Sequence, residues 1–442
     1  MGMTTDSPPV TGIGPSANSS VAPVLGRPEE VGFAAQRLAR LDAAMQAKVD
    51  DGRFAGISLA VARHGQLVYA KDFGVQDITT GAALRSDAVF RIASMTKPVT
   101  GVAMLLLYEE GKWQLDDPVA LFLPEFADLT VLDPGGRLVP PVHPMNMREL
   151  ITNTGGISGD AGVAGQFANG PGNEVRRLYL EAGLTEGTIA DMVAKIAAIP
   201  LATQPGTQFQ YGLSQDVQGR IVEVLSGQRL DEFLRTRIFE PLRMPDTGFA
   251  VRPNELHRLV PLAAYDGSLS LVPSRLAWPA VLFGDGHADQ TPRFLSGGGG
   301  LYSTLADYLR FAQMLGNRGE LDGVQILAGT SVGLMASNLL PVGVPVEFRQ
   351  RWAGQGYGVD VGVVLDPGRA TFTGGPIGTG TFHWSGAHGT WFWVDPTYDI
   401  VVVGMVQQEF AGIVHMGIPH PAPDLRALSR SLIYQALTDP AA

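Results

Sequence analysis

A serine and a lysine three residues apart, in Phe90-Arg91-Ile92-Ala93-Ser94-Met95-Thr96-Lys97-Pro98, are the side chains of this sequence best suited to covalent chemistry. With Ser94 at the start of a helix, Lys97 stands one turn on along the same face, and its amine reaches the hydroxyl. A serine hydroxyl holds its proton tightly. An amine whose pKa is lowered by burial or by a neighbouring positive charge can accept that proton. The helix N-terminus adds unpaired N–H groups and a positive field beside the oxygen. Ser is also a common N-cap and Lys a common solvated helix residue, so the spacing alone does not choose. The apolar flanks and the hydrophobic stretch that follows favour chemistry over a solvated first turn.

Two further clusters can complete such a site. In Pro205-Gly206-Thr207-Gln208-Phe209-Gln210-Tyr211-Gly212-Leu213-Ser214, a Pro-Gly turn and a short extended segment lead into a helix. Tyr211 can pass a proton between Lys97, Ser94 and a leaving group, or simply be a half-buried aromatic. In His383-Trp384-Ser385-Gly386-Ala387-His388-Gly389-Thr390, small residues let a substrate carbonyl approach the backbone. The N–H of Ala387 can then donate to an oxyanion, with the N–H of Ser94 as second donor. A histidine-based triad lacks its usual companion, because no Gly-x-Ser-x-Gly elbow occurs in the chain. His415 and His420 have neither helical spacing nor a nearby acid, so no metal is expected, and no step calls for an organic cofactor.

The elements that must position these residues follow from periodicity. Helical patterns run over 34–50, 94–110, 187–199, 213–225, 230–239, 305–315 and 424–437. Strand patterns run over 56–62 and 67–71, then again over 357–364, 389–394 and 400–406. The Gly297-Gly298-Gly299-Gly300 run marks a tight turn or a close approach of two backbones. Strands at both ends and helices between predict an α/β sheet domain from 25–111 and 350–440, with a mainly helical lobe, 112–349, inserted. The segment after Gly56 and the segment around 391–406 are expected to share one sheet, with the last helix against it. Loops 159–173 and 285–297 are expected at the entrance.

Composition narrows the function classes. The 442 residues are 45% hydrophobic, enough for a large core, and 17% charged. A net charge of −11 leaves nothing to offset phosphate repulsion, which argues against nucleic acid and anionic membranes. Without cysteine there is no disulfide, thiol nucleophile or thiolate metal site. Residues 1–23 show neither a basic n-region nor an apolar h-region, and no run is apolar enough to span a bilayer, so a cytoplasmic protein is expected. Oligomeric state is not readable from the sequence.

Taken together, the three clusters resemble the class C β-lactamase-like serine hydrolases, and within them the family VIII carboxylesterases. Ser94-Met95-Thr96-Lys97 matches the Ser-x-x-Lys motif, Tyr211-Gly212-Leu213 stands at Tyr-x-Asn, and Trp384-Ser385-Gly386 at Lys-Thr-Gly. The resemblance spans about 27–437 and includes Leu150-Ile151-Thr152-Asn153-Thr154-Gly155-Gly156 and Gly299-Gly300-Leu301-Tyr302-Ser303-Thr304 as framework. It implies a β-lactamase/transpeptidase-like fold: a mixed, mostly antiparallel sheet flanked by helices, with the site between sheet and helical lobe. It also implies an acyl-serine intermediate, with Leu213, Trp384, Ser385, Gly386 and His388 lining the substrate site. Leu213 in place of Asn and Trp384 in place of Lys exchange polar contacts for an apolar wall, the indole face leaving nothing unsatisfied. This points to small neutral esters. The rivals are a β-lactam hydrolase or D-amino-acid peptidase, an acyltransferase using the same acyl-enzyme, and a non-catalytic binding protein that kept the fold.

Overall fold

The computed structural model describes residues 25–157, 171–266, 270–274, 288–348, 350–370, 375–409 and 424–438. Most of the first expected entrance loop (159–170), residues 285–287 of the second, and the segment holding His415 and His420 lie outside them.

Strands from the two ends of the chain build one eight-stranded sheet. They are β1 Gly56–Arg63, β2 Gln66–Asp77, β3 Ala82–Ala83, β4 Gln355–Tyr357, β5 Gly362–Val364, β6 Phe382–Ser385, β7 Trp391–Asp395 and β8 Ile400–Met405. Their order is β4-β5-β6-β7-β8-β1-β2-β3, and every neighbouring pair is antiparallel. The early and late strands meet at the β1–β8 pair, where Ser58 stands opposite Met405 and Arg63 opposite Ile400. The shared sheet expected from the patterns is therefore present.

Both faces of this sheet are covered, so its central strands read as continuous apolar runs instead of alternating ones. On one face Ile57, Leu59 and Val61 of β1, Trp391 and Trp393 of β7 and Val402 of β8 pack with Leu38 and Leu41 of α1 (Ala35–Asp50). Leu425 and Ile433 of the last helix join that core. On the other face Ala60, Ala62, Phe392, Val394, Val401 and Val403 join the core of the helical part. There α2 (Thr96–Glu109) packs against α4 (Ser214–Ser226), which also touches α3 (Ile189–Ala197) and α5 (Leu230–Leu234). The helix α6 (Leu305–Gly316) lies directly on β1, β7 and β8. The last helix, α7 (Leu425–Tyr434), packs on α1, and Tyr434 donates to Asp395 of β7 at 2.5 Å. Each large apolar side chain buried in these layers stabilises the fold by about 1.5–3 kcal/mol. Among the described residues no helix is long and apolar enough to cross a membrane.

One expected element divides. The single strand read over 357–364 is two short strands, β4 and β5, joined by a turn in which Gly358 donates to Val361. Alternating Val359, Val361 and Val363 imitate a strand, but Asp360 between them has φ 58°. Asp tolerates this left-handed conformation better than most residues with a Cβ.

Candidate active site

Ser94 sits on a tighter turn than the expected helix start. Strand Val89–Arg91 pairs with Tyr302–Thr304, and Ile92 donates to Leu301 at 3.1 Å. Ala93 then adopts φ 46°, a conformation that costs a residue with a Cβ about 1–2 kcal/mol. A 3-10 turn, Ala93–Met95, carries Ser94 and runs into α2 at Thr96. The turn is tethered from outside: Tyr308 donates to the Met95 carbonyl at 2.9 Å, and Leu301 to Thr96 Oγ1 at 3.2 Å.

The structure brings Lys97 and Tyr211 to Ser94. Lys97 Nζ, on a side chain almost wholly buried, donates to Ser94 Oγ at 3.3 Å and to the Gly298 carbonyl at 2.6 Å. Tyr211 Oη donates to the same Oγ at 2.8 Å, and the Lys97 ammonium position lies 4.8 Å from the Tyr211 ring centre. The backbone holds Tyr211 there, since Gln210 donates to the carbonyl of Asn153 at 2.6 Å. Among the described residues, then, Lys97 and Tyr211 contact this serine oxygen, and no imidazole does.

The tetraglycine run acts as the close approach of backbones its composition suggested: a Cβ on Gly297 would stand 2.5 Å from the Gln215 carbonyl oxygen. A Cβ on Gly298 would stand 2.8 Å from Asp216 Oδ2 and 3.4 Å from Lys97 Nζ. Asp216 Oδ1 accepts from Ser296 Oγ at 2.6 Å and from the Gly298 N–H at 3.1 Å, which fixes the carbonyl that holds Lys97. Neither Asp216 nor Ser296 stood out in the sequence. Only the adjoining glycines pointed to this contact.

The turn after β6 is pinned to the Ser94 segment. Gly386 donates to Thr390 at 2.7 Å, and Thr390 Oγ1 donates to the Ile92 carbonyl at 3.1 Å. A Cβ on Gly386 would collide with both the Ile92 carbonyl and Thr390 Oγ1. Ala387 is therefore carried on a turn locked to the residue two before Ser94. Among the described residues neither the Ala387 N–H nor the Ser94 N–H has an acceptor. His388 is buried in this turn, and its carbonyl accepts from Gln408 at 3.0 Å. Burial, aided by the charge of Arg91, lowers its pKa to about 3, so its ring is neutral at ordinary pH.

Trp384 projects from β6 into an aromatic group, with ring centres 5.7 Å from Tyr211, 5.7 Å from Trp352 and 5.4 Å from Tyr357. The expectation that it leaves nothing unsatisfied is corrected: its indole N–H is buried without an acceptor among the described residues. Leu213 lies partly buried against the same core, just before α4. Ser385 is a second correction. It stands opposite Trp391, on the sheet face that α7 covers, while Trp384 stands opposite Phe392 on the other. Its oxygen accepts from Arg426 Nη1 at 3.1 Å, so strand alternation turns this hydroxyl away from the face Trp384 occupies.

Known proteins are similar to this chain along most of its length. An uncharacterized protein of Mycobacterium tuberculosis is 33% identical over 81% of this chain and 87% of its own length. Esterase EstB of Burkholderia gladioli is 30% identical over 86% of this chain and 93% of its own. The structure of EstCE1, described as a hydrolase with promiscuous acyltransferase activity, superposes with a TM-score of 0.70 at 24% identity, over 90% of this chain and 99% of that one. Residues 41–413 match the family model described as beta-lactamase, and the chain belongs to that family.

Proposed function

We propose that this protein is a carboxylic ester hydrolase that acts on short-chain or small neutral esters through an acyl-Ser94 intermediate. The observation that carries the reading is the single oxygen, Ser94 Oγ, held at once by the Lys97 amine and the Tyr211 hydroxyl. The likeness to EstB, which is named an esterase, supports the substrate class. In the reaction, the substrate carbonyl oxygen lies between the N–H groups of Ser94 and Ala387. Neutral Lys97 takes the Ser94 proton as Oγ attacks, and Tyr211 relays a proton to the departing alkoxide. The alcohol leaves, and water then hydrolyses the acyl ester, releasing the acid and regenerating Ser94. Leu213, Trp384 and Gly386 line the acyl or alcohol side and His388 supports the turn, while Ser385, bonded to Arg426 on the opposite sheet face, stays outside the lining. The site lies between the sheet part, 25–111 with 350–440, and the helical part, 112–349.

A fluorophosphonate tests this directly. It is expected to label one site per chain, on the peptide bearing Ser94; stoichiometric labelling elsewhere, or none, sinks the reading. Selectivity gives a second expected result. A β-lactam brings an obligatory carboxylate, and the indole and Leu213 replace an ammonium and an amide, so they supply neither that cation nor that amide donor. An unpaired penalty of about 3 kcal/mol lowers kcat/KM roughly a hundredfold. Cleavage of p-nitrophenyl butyrate is therefore expected to exceed turnover of a chromogenic cephalosporin by about that factor. A cephalosporin kcat/KM equal to or above the ester's promotes the β-lactamase reading instead.

A further inference from the structure

Asp360 is fully buried in the turn between β4 and β5, and the proposed reaction gives it no task. Its Oδ1 accepts from Gln215 Nε2 at 2.6 Å and Gln218 Nε2 at 3.1 Å, both on α4, the helix that the Tyr211 segment leads into. Its Oδ2 has no hydrogen-bond partner among the described residues. That oxygen faces α2 at Gly101, one helical turn beyond Lys97: a Cβ on Gly101 would stand 3.1 Å from it. A side chain there would press on the carboxyl, so the glycine and the left-handed backbone at Asp360 together admit an acid into the core against α2, one helical turn from the proposed base.

We propose that Asp360 is a positioning residue for Lys97: its carboxyl couples its own charge to that of the amine and so sets the pH at which Lys97 can take the Ser94 proton. This rests on Lys97 being the base of the proposed reaction. Among the described residues, the other titratable groups around the pair are Ser94 and Tyr211 at the amine, Asp216 from α4, and Tyr357 from β4. The Tyr357 hydroxyl is held well above its ordinary value by burial, with the Asp360 charge adding to the effect. Burial raises Asp360 to about 7, while Gln215, Gln218 and the Lys97 charge draw it back. Its charge therefore changes within the pH range of an esterase assay. With the carboxyl neutral the amine gives up its proton more readily; with the carboxylate formed the ammonium is favoured and the base is opposed.

The test is the pH dependence of two readouts in wild type and Asp360→Asn: kcat/KM for p-nitrophenyl butyrate and the rate of fluorophosphonate labelling. Asparagine keeps an oxygen for Gln215 and Gln218 but never carries the charge. The acidic limb of both profiles is expected to move down by about one pH unit. A limb that stays in place in folded Asp360→Asn overturns the proposal. If that variant does not fold, Gln218→Leu replaces it. Losing one donor raises the pKa of Asp360 further and keeps the carboxyl neutral to higher pH, so the limb must again move down, by less. An unchanged limb there also overturns the proposal. Lys97→Ala is the separate control: if it labels as fast as wild type, the reading of Lys97 as base fails, and not merely the role of Asp360.

Discussion

Replacing Ser94 with alanine is expected to abolish covalent labelling and to lower kcat on p-nitrophenyl butyrate by about 10⁴-fold or more. Lys97→Ala is expected to cost nearly as much, and the double variant little more than either single one. The reason lies in the geometry: Lys97 Nζ and Tyr211 Oη converge on one oxygen, so the amine has no proton to take without Oγ, and Oγ stays protonated without the amine. Groups that act as a unit are lost together. Losses that multiply in the double variant would show that the two act separately. Lys97→Ala also strips the Gly298 carbonyl of its donor, a destabilisation of about 1–3 kcal/mol, so its thermal midpoint must be compared first. Ser94→Ala leaves the turn's tethers at Met95 and Thr96 intact but takes an acceptor from Lys97 and Tyr211, so its thermal midpoint must be compared as well. A His388→Ala variant as damaging as Ser94→Ala, with Ser94→Ala still active, would overturn the whole assignment.

Gly386→Ala should act on the transition state instead of the nucleophile. The added methyl has no room against the Ile92 carbonyl and Thr390 Oγ1, so the turn must open and carry the Ala387 N–H off its line. Loss of one oxyanion donor typically lowers kcat by about 10²–10³-fold, and that loss is expected here with KM changed far less. Overpacking adds a stability cost of about 1–3 kcal/mol, which a denaturation curve separates from the kinetic effect. Thr390→Val, which removes only the bond to Ile92, should show the same pattern more weakly. If Gly386→Ala kept kcat within a few-fold while its turn had moved, Ala387 would not be the second donor.

The motifs were legible where chemistry depends on spacing along one element. Ser94 and Lys97 are three residues apart on one turn, and strand patterns at both ends announced one shared sheet. What escaped was set by contacts between distant segments. Asp360 hid inside an alternating valine pattern, because a single left-handed residue leaves no trace in periodicity. Asp216 looked like an ordinary early-helix acid until the Gly298 N–H was placed against it. Ser385 and Trp384 are sequence neighbours, yet the pleat sends one toward Arg426 and the other toward Tyr211. The unpaired indole N–H is likewise a property of its surroundings. The strain at Ala93 is set by the tethering of its flanks to Leu301 and Tyr308, which no local pattern encodes.

The central β1–β8 pair has a consequence for how the chain is made. Ser58 waits for Met405 while roughly 350 residues are still to be synthesised, which at 5–20 residues per second takes roughly 20–70 s. Throughout that interval a β1–β2 hairpin can have α1 on one face, but its β1 edge lacks β8 and its other face lacks α6. A chain stopped before β8 has no centre to its sheet, so truncation or slow translation near the end should yield aggregate instead of a smaller folded unit. Recovery of active protein is thus governed by how well the nascent N-terminal hairpin is shielded until its partner emerges from the ribosome.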